Sequence, residues 1–97
     1  MAYKLLIVED EKEKATGIAY LTGKYNPECR PVLLAHDGRE GYEKAVAEQP
    51  DIIVTDIRMP EMDGLEMIRE LKKAGCSAEF IVLSGYAEFM PKRSAQE

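Results

Sequence analysis

Three short apolar runs, each cut off by an acid or a hydroxyl, constrain this chain most. Leu5-Leu6-Ile7-Val8 is followed by Glu9-Asp10, Ile52-Ile53-Val54-Thr55 by Asp56, and Phe80-Ile81-Val82-Leu83 by Ser84. Runs without polar alternation belong to strands covered on both faces, as in a parallel sheet. In open α/β sheets, ligands and chemistry collect beyond the carboxyl ends of the strands. Glu9, Asp10, Asp56 and Ser84 are therefore expected on one edge, as a site for a divalent cation and for a phosphoryl group.

The segments between the runs read as helices. The first strand is placed at Tyr3–Val8, and a helix at Glu11–Tyr25 carries Ala15, Ile18, Ala19 and Thr22 on one face before Asn26-Pro27 ends it. A second strand, Pro31–His36, has a proline at its start. Asp37 and Glu40 form a D-x-x-E cap for a helix that runs to Gln49, with Tyr42, Ala45 and Val46 inward and Pro50 blocking its continuation. Asp51–Thr55 is the third strand. Asp63-Gly64-Leu65-Glu66 repeats the cap before a helix with Leu65, Ile68 and Leu71 inward, and Gly75 suits a left-handed end there. Glu79–Leu83 is the fourth strand, and Tyr86–Met90 starts another helix against Pro91. Alternating strands and helices give an α/β fold with parallel strands and right-handed crossovers. A doubly wound sheet in the order 2-1-3-4 is the simplest solution. Its switch point, between the first and third strands, collects Glu9, Asp10 and Asp56.

Composition narrows the function classes. With 97 residues, 45% hydrophobic and 32% charged, the chain suits one small folded domain rather than a disordered segment. A net charge of −5 argues against direct nucleic-acid binding. No apolar run approaches the roughly 20 residues of a membrane span. A strand pattern begins at once, so no signal peptide is expected and the cytoplasm is the expected location. Cys29 and Cys76 read as unpaired thiols, and His36 as a strand-end residue rather than a zinc ligand.

Clustered carboxylates resist simultaneous ionisation, and a hard cation with oxygen ligands relieves the repulsion. Mg²⁺ is the expected occupant, since it takes one or two carboxylates and keeps several waters. Glu9 and Asp10 also read as caps, because Asp10-Glu11-Lys12-Glu13-Lys14 is a good solvated start to a helix. Asp56, at the end of a β-branched strand, has no such explanation.

The loop Asp56-Ile57-Arg58-Met59-Pro60-Glu61-Met62-Asp63-Gly64 resembles the D-x-x-M-P-x-M-D-G signature of response-regulator receiver domains, the phosphoacceptor modules of two-component signalling. The resemblance extends to Leu5–Glu11 and to Ile81–Tyr86, and covers about Tyr3–Phe89. Ser84-Gly85-Tyr86 followed by Phe89 is similar to receivers that precede AraC-type DNA-binding domains. The resemblance implies a flavodoxin-like fold in which Asp56 accepts a phosphoryl group from a phosphohistidine on a sensor histidine kinase. Asp10, with Glu9, and the backbone carbonyl of Arg58 would join Asp56 in holding Mg²⁺, and Ser84 would supply the switch hydroxyl. It implies a signalling domain rather than an enzyme, with a water-labile acyl phosphate as product and any transcriptional role in a further C-terminal part. Blander roles stand beside these. Ser84 would start a turn with Gly85, Met59 and Met62 would anchor the loop, Pro60 would stiffen it, and Tyr86 and Phe89 would form an apolar stripe.

Against the family pattern, the chain stops before a fifth strand with its Lys-Pro pair and before a fifth helix. Residues 1–90 therefore read as a truncated receiver domain and 91–97 as a polar tail. Lys92 follows Pro91 and is not expected to replace the strand-end lysine. The fourth strand would be an apolar edge, which favours a homodimer through that strand or a marginally stable monomer. Phosphorylation is expected to be impaired and uncoupled from response. Two rivals are an interaction fragment that dimerises without chemistry, and an aspartyl-phosphate hydrolase of the haloacid-dehalogenase type. The latter looks for D-x-D, where this chain has Arg58.

Overall fold

The computed structural model describes residues 2–83, so Ser84, the expected Tyr86–Met90 helix, Lys92 and the polar tail lie outside the described residues. Strands β1 (Tyr3–Val8), β2 (Cys29–Ala35), β3 (Ile52–Asp56) and β4 (Glu79–Leu83) alternate with helices α1 (Lys12–Tyr25), α2 (Gly38–Glu48) and α3 (Gly64–Lys73). All pairs are parallel and the order is β2-β1-β3-β4, as the sequence predicts. β1 is held on both sides, with Val8 level with Ala35 of β2 and Thr55 of β3. Glu9 and Asp56 thus emerge from neighbouring strands at the same level.

Alternation along β1 sends its side chains to two separate cores. Leu6 and Val8 join Ile53, Ala45, Met67 and Leu71 under α2 and α3. Leu5, Ile7 and Val54 pack with Ile18 and Ala19 of α1 on the other face. Fully burying each large aliphatic side chain contributes about 1.5–3 kcal/mol. Among the described residues, the α1 face is the less covered one. A cleft of about 320 Å³ there is lined by Leu5, Thr22, Ile52, Val54 and Ile81 among others. No helix among the described residues is long and apolar enough to cross a membrane.

Two inward positions expected from the sequence are wrong. Val46 and Leu65 are exposed, whereas Gly41, Ala45, Met67 and Leu71 are buried. The inward stripes run through Gly38, Gly41 and Ala45 on α2, and through Gly64, Met67 and Leu71 on α3. At 3.6 residues per turn, Val46 and Leu65 lie about a quarter-turn off these stripes. β2 also starts earlier than expected, at Cys29. Tyr3 pairs with Cys29 but Leu5 with Val32, so Arg30 and Pro31 are absorbed as a bulge. The bulge lies on a strand at the end of the described sheet, where a missing N–H is tolerated.

The helix ends follow their sequence signals. Asp37 Oδ1 accepts from the Glu40 amide at 2.7 Å, and Glu40 Oε1 accepts from the His36 amide at 2.8 Å, so the reciprocal bond lands one residue before the cap. Asp63 Oδ1 accepts from the Glu66 amide at 2.8 Å. α3 ends in a Schellman motif. The Cys76 amide donates to the Leu71 carbonyl at 2.9 Å and the Gly75 amide to that of Lys72 at 3.1 Å, with Gly75 at φ 87°.

Candidate functional site

The site starts from two strand ends. Leaving β1, Glu9 is 1% exposed, and its backbone amide still donates to the Ala35 carbonyl at 2.9 Å. Its Oε2 accepts from the Glu11 amide at 3.0 Å, while Oε1 is buried with no hydrogen-bond partner among the described residues. Asp10 follows on the exposed rim. At the end of β3, Asp56 is 8% exposed, and its Oδ1 accepts from the Ile57 amide at 2.7 Å. One carboxylate oxygen each from Glu9, Asp10 and Asp56 gathers within 4.8 Å of the others. The three carboxylates expected to converge therefore do so, while Ser84 lies outside the described residues.

The helix-capping alternative is met in part. The N-cap of α1 is Glu11, whose own side chain makes no cap bond, and Glu9 supplies the acceptor for the Glu11 amide instead. A single amide does not account for the whole cluster.

A fourth group occupies the pocket. The Lys14 ammonium, from the first turn of α1, stands 3.7 Å from Glu9 Oε1 and 3.6 Å from Asp56 Oδ2. Sequence reasoning missed it, treating Lys14 as part of a solvated run. The available signal was its position four residues after Asp10, one helical turn beyond the acids.

Burial pushes the Glu9 carboxyl above its usual range, and the charge of Asp56 adds to the rise against the opposing pull of the Glu11 amide and Lys14. For Lys14, desolvation is the largest single influence and acts downward. The carboxylates of Asp56 and Glu9 together outweigh it and hold the ammonium above its ordinary pKa.

The loop from β3 to α3 is fixed by close backbone approach. The Gly64 amide donates to the Ile57 carbonyl at 2.8 Å, and a Cβ at Gly64 would lie 2.1 Å from the Asp56 carbonyl oxygen. A Cβ at Gly38 would lie 1.8 Å from the Met62 carbonyl oxygen. Both positions exclude any side chain. Met59 and Met62 pack against the α2–α3 core, which is the anchoring role the sequence suggests. Arg58, two residues past Asp56, is exposed on this loop.

A three-carboxylate pocket with one buried oxygen that has no hydrogen-bond donor among the described residues has the donor set of a hard, oxygen-seeking cation. His36 and the cysteines take no part in it.

Comparison with known proteins gives a consistent picture. Residues 5–96 match the model of the response regulator receiver domain. The uncharacterized transcriptional regulatory protein YesN of Bacillus subtilis is 39% identical over 95 residues, covering 98% of this chain and 26% of that protein. The alkaline phosphatase synthesis transcriptional regulatory protein PhoP, also of Bacillus subtilis, is 32% identical over 92 residues, covering 95% of this chain and 37% of its own length. Among solved structures, the REC domain of AraT, a response regulator from Geobacillus stearothermophilus, superposes with a TM-score of 0.81 at 32% identity, covering 98% of this chain and 74% of that one. A two-component transcriptional regulator AraC from Clostridium phytofermentans gives 0.76 at 32% identity, covering 92% and 72%. The chain thus spans between about a quarter and rather over a third of the length of these curated relatives.

Proposed function

The chain belongs to the response regulator receiver domain family, a family of signalling domains, and from that premise we propose that Asp56 is its phosphoacceptor. In this reading an Asp56 carboxylate oxygen attacks the phosphorus of a phosphohistidine on a sensor histidine kinase. The P–N bond breaks, the imidazole leaves, and Asp56 carries an acyl phosphate. Glu9, Asp10 and Asp56, with the carbonyl of Arg58, would hold Mg²⁺, which when bound offsets charge on the transferring group. Ser84, next after β4, takes the role of switch hydroxyl. The chain's own contribution is position. Asp56 is fixed by the Ile57 amide on one oxygen, which leaves Oδ2 on the side of Lys14.

The observation that carries this reading is the gathering of carboxylates from β1 and β3 within 4.8 Å around a nearly buried Asp56. Incubation with a small acyl phosphate and Mg²⁺ should add one phosphoryl group to the wild-type chain by intact mass. The Asp56→Asn variant should gain none. An asparagine variant that gains mass equally overturns the assignment.

The partners follow from the same reading. The kinase is the donor, the exchange takes place in the cytoplasm, and the acidic chain makes no direct contact with nucleic acid. Phosphorylation adds about −1.5 to −2 charges beside the acids. Self-association runs through β4, where Ile81 and Val82 are 49% and 39% exposed.

A further inference from the structure

The acidic pocket contains a cation of the chain's own. Exposed ion pairs contribute little to stability, because water screens them and long side chains lose entropy in forming them. Lys14 differs in one respect: its ammonium stands beside Glu9 Oε1, a buried carboxylate oxygen with no hydrogen-bond donor among the described residues. The same ammonium faces Asp56 Oδ2. It thus lies between the two most buried carboxylates of the cluster, near the oxygens that a metal ion would use. A magnesium ion bonded at about 2.1 Å to those oxygens would meet a like charge there. The Lys14 side chain is 39% exposed, so its stem has solvent to swing into.

We propose that Lys14 is a tethered counter-cation that competes with the divalent ion for the carboxylates of Glu9 and Asp56. In the metal-free chain it neutralises a buried acid that would otherwise be stranded. On metal binding it gives way, and the cost of displacing it sets the pocket's affinity. The ammonium and the metal are then coupled ligands of one site, each weakening the other by the same factor. The inference rests on the reading of this pocket as a Mg²⁺ site and assigns Lys14 a role as a positioning residue within it.

The test is Mg²⁺ binding to the full chain by calorimetry or equilibrium dialysis, with no phosphodonor present. Circular dichroism confirms that each variant is folded. Lys14→Gln should bind Mg²⁺ about fivefold to tenfold more tightly than wild type, within the usual range of such couplings. Lys14→Arg, which keeps the charge, should bind as wild type does. Metal-free Lys14→Gln should melt at a lower temperature than wild type, and saturating Mg²⁺ should close the gap. A lysine with a merely structural role would lower melting without tightening metal binding. Equal or weaker binding by Lys14→Gln, or equal tightening in Lys14→Arg, overturns the proposal while leaving the metal site intact. Binding by Lys14→Gln where wild type binds none supports it. Binding by neither chain removes the metal site and the proposal together.

Discussion

Glu9 concentrates the electrostatic cost of this molecule, being an almost fully buried acid with one carboxylate oxygen lacking a hydrogen-bond donor among the described residues. Its pKa is raised, chiefly by burial, so the folded chain binds its proton more readily than the unfolded chain does. Glu9 therefore costs nothing below its unfolded pKa and destabilises increasingly as pH rises through the folded one. In metal-free buffer, Glu9→Gln should make the chain more stable at neutral pH and flatten this part of the pH dependence, as measured by thermal melts across mildly acidic to neutral pH. The same variant should bind Mg²⁺ more weakly. Gly64 gives a second prediction. Its missing side chain leaves room for the Asp56 carbonyl, so Gly64→Ala should cost about 1–3 kcal/mol in urea unfolding, as overpacking does. It should also weaken Mg²⁺ binding by shifting the strand end that carries Asp56. Asp56 was legible in the sequence because no helix cap explains an acid at the end of a β-branched strand, and Glu9, which also reads as a cap, became legible only beside it. Lys14 was not, because a lysine among alternating charges reads as solvated until the pocket beside it is visible.

The helices are delimited by local chemistry, and that chemistry predicts what breaks them. Asp63 holds the Glu66 amide at the start of α3, so Asp63→Ala should cost about 1 kcal/mol in chemical unfolding. Because Asp63 also ends the loop from Asp56, the loss should loosen the site, read as faster amide hydrogen exchange at Ile57 and Gly64. Caps and stops were legible since each is a short pattern, D-x-x-E at one end and glycine or proline at the other. The inward faces were less so. Leu65 was expected inward with Ile68 and Leu71, while the geometry of α3 exposes Leu65 and buries Met67. The start of β2 was hidden by Pro31, which argues against a strand until the strand is known to lie at the end of the described sheet.

At the scale of the whole molecule, the sheet is covered unequally. α2 and α3 share one face, while α1 alone covers the other among the described residues. Ile81 projects on that thinner side, lining the same cleft as Leu5 and Val54. Ile81→Lys should reduce self-association in sedimentation velocity by a clear shift towards monomer, with little effect on folding, since Ile81 is about half exposed. The parallel, doubly wound arrangement was legible from alternating elements and the handedness of crossovers, and the strand order from these together with the receiver-domain resemblance, whereas the unequal cover depended on which residues each helix faces. The glycines at 38 and 64 bear on signalling at this scale. They let the segment after Asp56 pack closely against the start of α2 and the end of β3, so backbone lies tight against backbone beside Asp56. On the proposed role of Asp56, a bulky, charged adduct would find close-packed backbone on this side of the pocket and would have to be accommodated elsewhere.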